Sequence, residues 1–372
     1  MVPAAVPDWS GRLRQLQQEL LAGTLDAVVV STPANIGYLT GFTGTAGLLV
    51  VTRDRPSLLV DGRYDAAARD AMARGALATL EIAPVPAGYA EALTALLDRL
   101  AAVRIGFEAG HVTVATLDDW RAKFSGRDWV RTDRLVEDLR IRKDAVELAC
   151  LRRGARQLSE VAGRLGEFVK AGAREIDVAR AIDRALEAAG FSGPAFTTIV
   201  ASGPNSALPH ARPTSRQLRS GDLVLLDFGG VLDGYCTDLT RMAAISRLGE
   251  DAHRLFRAVF DAEAAAIDAV RPGVSAASVD GAARQVLVDR GYGAAFLHAT
   301  GHGLGLEVHE APRLGRAVGD EASEVLAEGM VFTVEPGAYV AGLGGVRIED
   351  DVLVTATGVE VLTTASRDLL IV

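Results

Sequence analysis

Cysteine is scarce in this chain: Cys150 and Cys236 are the only two in 372 residues, too few for a disulfide framework. Long apolar runs are missing as well. None approaches the roughly 20 residues that a membrane-spanning helix needs, and the opening stretch MVPAAVPDWSGRLRQLQ has no apolar centre of a signal peptide. The expectation is a cytoplasmic protein without a membrane partner. Positive charge is also in deficit. With 39 Lys and Arg against 48 Asp and Glu, the net charge is −9, which argues against nucleic acid as the main partner. What is abundant is apolar side chain, 49% of the residues. A chain of this length buries a large core and exceeds the usual single-domain size, so two domains are expected.

The first domain reads as α/β. SGRLRQLQQELLAG has helical spacing, DAVVVS is an apolar strand, AGLLVVT and SLLVDG flank a turn at Asp54 to Pro56, and RYDAAARDAMARG and AGYAEALTALLDRL are two further helices. The charged stretch RLVEDLRIRK marks the boundary, giving an N-terminal domain over 1–137 and a second domain over 138–372. Asp144 then caps a long helix with Glu147 three residues on. Leu148, Leu151, Ala155, Leu158, Ala162 and Leu165 are its buried stripe, up to Gly172.

The second domain carries the chemistry. In DLVLLDFGG, Leu223, Leu225 and Asp227 alternate with Val224, Leu226 and Phe228, so a buried strand carries one carboxylate on an apolar face before Gly229-Gly230. After a turn at Asp233-Gly234, Cys236, Asp238 and Thr240 share one face of the return strand, which lets Asp238 meet Asp227 across the hairpin. Two carboxylates that close repel each other unless cations lie between them. GMVFTVEPG and GGVRIEDDVLV repeat the logic, with Val331, Thr333 and Glu335 on one face and Arg347, Glu349 and Asp351 on the other strand's face. With His302, these four carboxylates are five potential ligands whose oxygen-rich character suits a pair of hard or borderline divalent cations. A two-metal hydrolase is the first hypothesis.

An internal repeat supports the pairing. VKAGAREIDVARAIDRALEAAGF (169–191) aligns without a gap on VRPGVSAASVDGAARQVLVDRGY (270–292), an offset of 101 residues, and a slightly larger offset carries Asp227 to Glu335 and Asp238 to Glu349. Helices and ligands duplicating together imply a domain with pseudo-two-fold symmetry. His298, His302 and His309 lie in LHATGHGLGLEVHEAP, where Gly301, Gly303 and Gly305 exclude a helix and leave a loop or irregular strand. His210 lies in NSALPHARP. Each of these residues has a plainer alternative: a turn or cap for Asp227, a structural histidine for His302, a surface loop for His210, an ion pair with Glu349 for Arg347. Glu310, Asp350 and Asp351 read as supporting or cap residues, and Cys236 as a buried filler.

DFGG, GYCTDLTR, TGHGLGLEVHEAP, VEPGAY and GGVRIEDD resemble the motifs of the pita-bread metallopeptidases, the family of aminopeptidase P, prolidase and methionine aminopeptidase. The resemblance spans essentially the whole chain. It implies an α+β pita-bread catalytic domain behind a creatinase-type N-terminal α/β domain. It also implies two divalent metal ions, Mn2+ in first place with Co2+ or Zn2+ as alternatives. By the resemblance, Asp227 and His302 bind different metals, Glu335 joins His302, and Asp238 and Glu349 bridge. His210, His298, His309 and Arg347 are then the active-site residues that are not ligands. The implied reaction removes an N-terminal residue that precedes Pro, with Glu335 handling the proton and His298 or His309 donating to the oxyanion. ANIGYLTGFTGTAG and DGRY favour an Xaa-Pro aminopeptidase. An Xaa-Pro dipeptidase is the alternative, and a binding module without catalysis is a third reading that the complete ligand set opposes. A homodimer or higher homo-oligomer is expected, with Tyr38 and Phe42 as apolar contacts at the rim of a peptide cleft.

Overall fold

The computed structural model describes residues 6–317 and 323–372, and its contacts divide the chain into two units, Met1–Arg140 and Ile141–Val372. In the first unit, helix α1 (Trp9–Ala22) starts at Asp8, whose carboxylate accepts from the Gly11 N–H, and buries Leu13, Leu16 and Leu20 at helical spacing. The strands are β1 (Ala27–Val30), β2 (Leu48–Thr52), β3 (Pro56–Asp61), β4 (Glu81–Val85), β5 (Arg104–Glu108) and β6 (Asp128–Thr132), in the mixed order β4-β3-β2-β1-β5-β6. All four residues of β1 are buried, as befits a strand covered by helices on both faces. Those helices include α2 (Pro33–Thr40), α3 (Asp65–Ala73), α4 (Tyr89–Arg99) and α5 (Val114–Lys123), followed by the short α6 (Glu137–Arg140).

Tyr38 and Phe42 are not the exposed apolar contacts expected in ANIGYLTGFTGTAG. The first half of that segment is helix α2, opened by Pro33 at a position where proline loses nothing. Tyr38 and Phe42 are 4% and 6% exposed, and Arg12 lies 4.0 Å over the Tyr38 ring. Both aromatics are core residues of this unit. The reading from periodicity also passed over β4, β5, β6 and α5, whose apolar positions are too few or too short to stand out.

The second unit opens with α7 (Ala145–Ala162), held by a reciprocal capping box between Asp144 and Glu147. The helix stops at Ala162, earlier than its apolar stripe suggests, because Gly163 ends it and Leu165 belongs to a separate short helix, α8 (Leu165–Phe168). The remaining helices are α9 (Glu175–Ala188), α10 (Glu250–Ala269) and α11 (Ala276–Asp289). The strands of the first half are β7 (Ile199–Ser202), β8 (Leu223–Phe228), β9 (Val231–Leu232), β10 (Tyr235–Cys236) and β11 (Leu239–Ala244). Those of the second are β12 (Gly301–Gly303), β13 (Glu310–Leu314), β14 (Val331–Val334), β15 (Gly337–Val340), β16 (Gly344–Arg347), β17 (Asp350–Val354), β18 (Val359–Val361) and β19 (Leu370–Ile371).

The duplication is visible in hydrogen bonds. Helices α9 and α11 have identical lengths and repeat at the offset of 101 residues. Before each, a glycine in the left-handed region, Gly172 (φ 84°) and Gly273 (φ 89°), turns the chain. The Gly172 N–H donates to Leu218 O and the Gly273 N–H to Leu326 O, both at 2.8 Å; in return Leu218 N–H donates to Ala173 O and Leu326 N–H to Val274 O, again at 2.8 Å. The C-terminal unit therefore has the pseudo-two-fold pita-bread architecture. Strand β8 is buried on both sides, with Leu223 and Leu225 in the core packed by α10 and α11 and Val224, Leu226 and Phe228 in the core packed by α9. Alternation thus puts Asp227 on the Leu223–Leu225 side, as its sequence position requires. Among the described residues no helix is long and apolar enough to cross a membrane.

Candidate active site

One cavity of about 570 Å3 is lined by Asp227, Asp238, His302, Glu335 and Glu349 together with His210, His298, His309 and Arg347. All nine residues singled out from the sequence converge there. The hairpin geometry differs in one respect from the expected pairing. The residue opposite Asp227 in the β8–β11 ladder is Thr240, so Asp238, two residues earlier, is its diagonal neighbour on the same face. The second pair does face directly. Thr333 pairs with Asp351 and Gly337 with Arg347 in two ladders separated by a break, and the common register carries Glu335 opposite Glu349 within that break. There the backbone polar groups look elsewhere: Glu335 N–H donates to Thr300 O at 2.7 Å and Glu349 N–H to Thr240 O at 3.3 Å.

His302 is delivered by β12, an irregular strand whose register shifts between His302 and Gly303, with a glycine on either side. A Cβ on Gly301 would lie 1.9 Å from Thr333 O and one on Gly303 2.0 Å from Ala311 O, so only glycine lets the flanking strands close on the histidine. The ring Nδ1 is 3.1 Å from Gly303 O, which assigns the proton to Nδ1 and leaves the Nε2 lone pair for other partners. That nitrogen lies 3.8 Å from Asp238 Oδ2 and 3.5 Å from Glu335 Oε1. Ligand atoms of Asp238, His302 and Glu349 all fall within 4.8 Å of one another.

The electrostatics of the site favour positive charge. Burial first, and then neighbouring carboxylates, raise Asp238 and Glu335 well above the usual carboxylate range. The same causes push Glu349 to about 8. Burial also raises Asp227, against the opposing pull of Arg347. His302 is lowered to about 4 by burial and by His309, whose ring meets it edge-on at 4.3 Å. Two buried carboxylate oxygens, Asp227 Oδ1 and Asp238 Oδ1, have no hydrogen-bond partner. Orphaned buried oxygens are costly. A donor set of four carboxylates and one neutral imidazole, with oxygens left over, fits divalent cations of hard or borderline character.

Arg347 is ion-paired with Asp227, and its Nε lies 3.8 Å from Glu335 Oε2. The ion pair with Glu349 that its position suggested is not the one formed, because strand alternation and register aim the guanidinium across the site toward β8. Arg347 Nη1 also donates to the Tyr339 hydroxyl at 2.7 Å, which in turn donates to His298 Nε2 at 2.9 Å. With His298 Nδ1 spent on Ala299 O at 2.8 Å, this histidine has no free N–H. Burial holds it neutral, at about 4.

Three residues of the site escaped the sequence reading. Tyr339 links Arg347 to His298; its only signal was its place in VEPGAY. Thr240 donates to Glu349 Oε2 at 2.6 Å; its signal was the two-residue step from Asp238. Arg313, on β13, lines the cavity, is exposed and pairs with no carboxylate among the described residues. Of the residues read as supporting, Asp351 Oδ2 accepts from the Asp238 N–H at 3.2 Å, Asp350 pairs with Arg241, and Glu310 pairs with Lys143 at 3.2 Å.

The duplicated scaffold and the ligand-type side chains gathered from both its halves define the pita-bread class of hydrolases. The chain belongs to the metallopeptidase family M24, which matches residues 149–356, and residues 12–142 match the creatinase/prolidase N-terminal domain. It is 32% identical to the Xaa-Pro dipeptidase of Pyrococcus furiosus over 96% of this chain and 99% of that one. Among solved structures, the Xaa-Pro dipeptidase from Bacillus anthracis matches with a TM-score of 0.92 at 30% identity, covering 98% of this chain and 100% of that one. The X-Pro aminopeptidase from Thermotoga maritima matches with a TM-score of 0.85 at 30% identity, covering 96% and 99%.

Proposed function

We propose that this chain is a metal-dependent Xaa-Pro dipeptidase, a prolidase, rather than the aminopeptidase its N-terminal motifs favoured. One observation carries the hydrolase part: partnerless oxygens of Asp227 and Asp238 lie in the same cavity as His302, Glu335 and Glu349. In this reading those five residues hold two divalent cations, Mn2+ being the first to test and Co2+ or Zn2+ the alternatives. When bound, the ions acidify a water and polarise the scissile carbonyl. Glu335, ionised when it serves as a ligand, takes the proton and returns it to the leaving nitrogen. The Pro nitrogen of a tertiary amide departs only once protonated, so this transfer matters more here than for an ordinary peptide. The His309 ring, unlike that of His298, makes no hydrogen bond among the described residues, and His309 is the donor to the oxyanion. Arg347 and Tyr339 hold Asp227 and His298 in place.

The choice of dipeptidase rests on Arg313. A dipeptidase must recognise the free carboxylate of Pro, and an exposed guanidinium in the cavity wall without a carboxylate of its own supplies a bidentate partner for it. The names carried by the Pyrococcus furiosus and Bacillus anthracis relatives support the same choice. The deciding experiment reconstitutes the protein with Mn2+ and compares Ala-Pro with Ala-Pro-Ala and longer Xaa-Pro peptides. Preference for Ala-Pro is expected; faster release from Ala-Pro-Ala would return the aminopeptidase reading. No stoichiometric metal and no hydrolysis would leave a binding module. The assembly expected from the sequence is a homodimer or higher homo-oligomer, and sedimentation equilibrium at the 39.1 kDa chain mass would overturn it.

A further inference from the structure

Strand alternation separates Thr240 from Arg241 on β11, and Glu349 from Asp350 at the entry to β17. Thr240 and Glu349 meet on the cavity side. Arg241 and Asp350 meet behind them, Nη2 to Oδ1 at 2.7 Å, with side chains only 5% and 1% exposed. The guanidinium spends all five of its N–H groups. Nε donates to Ser366 O at 2.9 Å; Nη1 to Thr240 O at 3.0 Å and to Glu349 O at 2.6 Å; Nη2 to Ala365 O at 2.8 Å besides Asp350. Asp350 Oδ1 also accepts from Thr363 Oγ1 at 2.6 Å. Of the carbonyls, one belongs to Glu349 of the cavity wall, one to Thr240, whose hydroxyl donates to Glu349, and two to the C-terminal segment, which joins the same sheet as β19 alongside β11.

Burying a cation against one carboxylate and four carbonyls is an expensive way to stabilise a fold, since well-packed apolar residues commonly do as well. The arrangement is explained by what it holds. We propose that Arg241 is a positioning residue of the metal centre. By clamping the carbonyls of Thr240 and Glu349 to Asp350 and the C-terminal segment, it fixes the Thr240 hydroxyl and the Glu349 carboxylate for cation binding. Arg241 does not line the ligand cavity; it borders a separate one with Gly163, Ser366 and Leu370. Its effect therefore passes through the backbone of two residues. Lysine, a point charge with three tetrahedral donors, cannot reproduce a planar five-donor fork. The inference rests on the proposed reading of Asp238 and Glu349 as ligands.

The test titrates Co2+ alone into full-length wild type, Arg241→Lys and Arg216→Lys, following affinity and visible absorption alongside thermal unfolding. Arg216 is the control: it pairs with Asp222 at 2.6 Å and touches no proposed ligand. Arg241→Lys is expected to bind cobalt on the order of 10- to 100-fold more weakly with an altered spectrum, whereas Arg216→Lys should lose stability and keep both. Wild-type affinity and spectrum in Arg241→Lys would overturn the proposal while leaving the site reading intact. A wild type that binds no cobalt would overturn both. If Arg241→Lys does not fold, Asp350→Asn, which spares the four carbonyl contacts, is measured in the same way. Weakened cobalt binding there supports the clamp, and unchanged binding defeats it.

Discussion

Arg347 closes on Asp227, leaving Asp227 Oδ1 without a partner while its other oxygen carries the ion pair. The same guanidinium reaches Tyr339, Thr240 Oγ1 at 3.2 Å and Pro209 O at 3.3 Å, so it joins both hairpins to the loop that carries His210. Arg347→Lys preserves the charge and loses most of these contacts. A fall in kcat/KM of about 100-fold is expected, on the scale of a lost charge-assisted hydrogen bond or two, with metal content unchanged. Steady-state kinetics beside metal analysis would check it; unaltered kinetics would reduce Arg347 to a neutralising charge.

Asp238 and Glu349 are expected to behave differently from the histidines around them. Asp238→Ala or Glu349→Ala should abolish activity and release at least one metal, because loss of a shared carboxylate leaves the repulsion between cations uncompensated. His210→Ala should keep the metal and lower turnover by about 100-fold. Elemental analysis of each purified variant separates the two groups, and two metals retained in active Glu349→Ala would refute the bridging role.

Arg313 carries the prediction about peptide length. Arg313→Ala should raise KM for Ala-Pro by about 10-fold or more, the value of a charge-assisted pair of roughly 1.5–3 kcal/mol, and leave Ala-Pro-Ala hydrolysis little changed. Equal losses on both peptides would show that this guanidinium does not read the terminal carboxylate.

The buried carboxylates make the metal-free protein sensitive to alkali. Glu349 rises from 4.5 to about 8 on folding; a raised carboxyl stabilises the fold fully below 4.5 and loses that contribution as pH climbs through 8. His298 and His302 fall from 6.5 to about 4, so their contribution is present above 6.5 and lost as pH drops through 4. Only the carboxylates act between 6.5 and 8. Thermal unfolding of chelator-treated protein should therefore show stability falling over that interval, by about 1–2 kcal/mol for Glu349. Added Mn2+ should remove the part of the fall due to Glu349, since the cation holds the ionised form, and leave the part due to Glu263, which burial away from the site also raises to about 8. A melting temperature that rises across the interval without metal would contradict this account.

Much of this protein was legible in short stretches of sequence. Alternation in DLVLLDF placed Asp227 on a face of a buried strand, the Asp144–Glu147 spacing announced the start of α7, and the repeat at 101 residues foretold the paired helices α9 and α11. The five ligand-type residues and the four others expected around them all reached one cavity. These features depend on neighbours a few positions apart, or on one chain segment copying another, and need no knowledge of what meets what. Partner choice does need it. Arg347 and Asp227 lie 120 positions apart, and only the register of two separate hairpins decides that the guanidinium goes to Asp227 and not to the adjacent Glu349. The same holds for Thr240 standing opposite Asp227, for Tyr339 closing on His298, and for Tyr38 and Phe42 turning inward. The sequence by itself determined which residue types could hold a metal and that two duplicated hairpins would present them. Tertiary structure alone decided which oxygens remain without partners and which charges neutralise one another, because burial and through-space distance have no signature in local pattern.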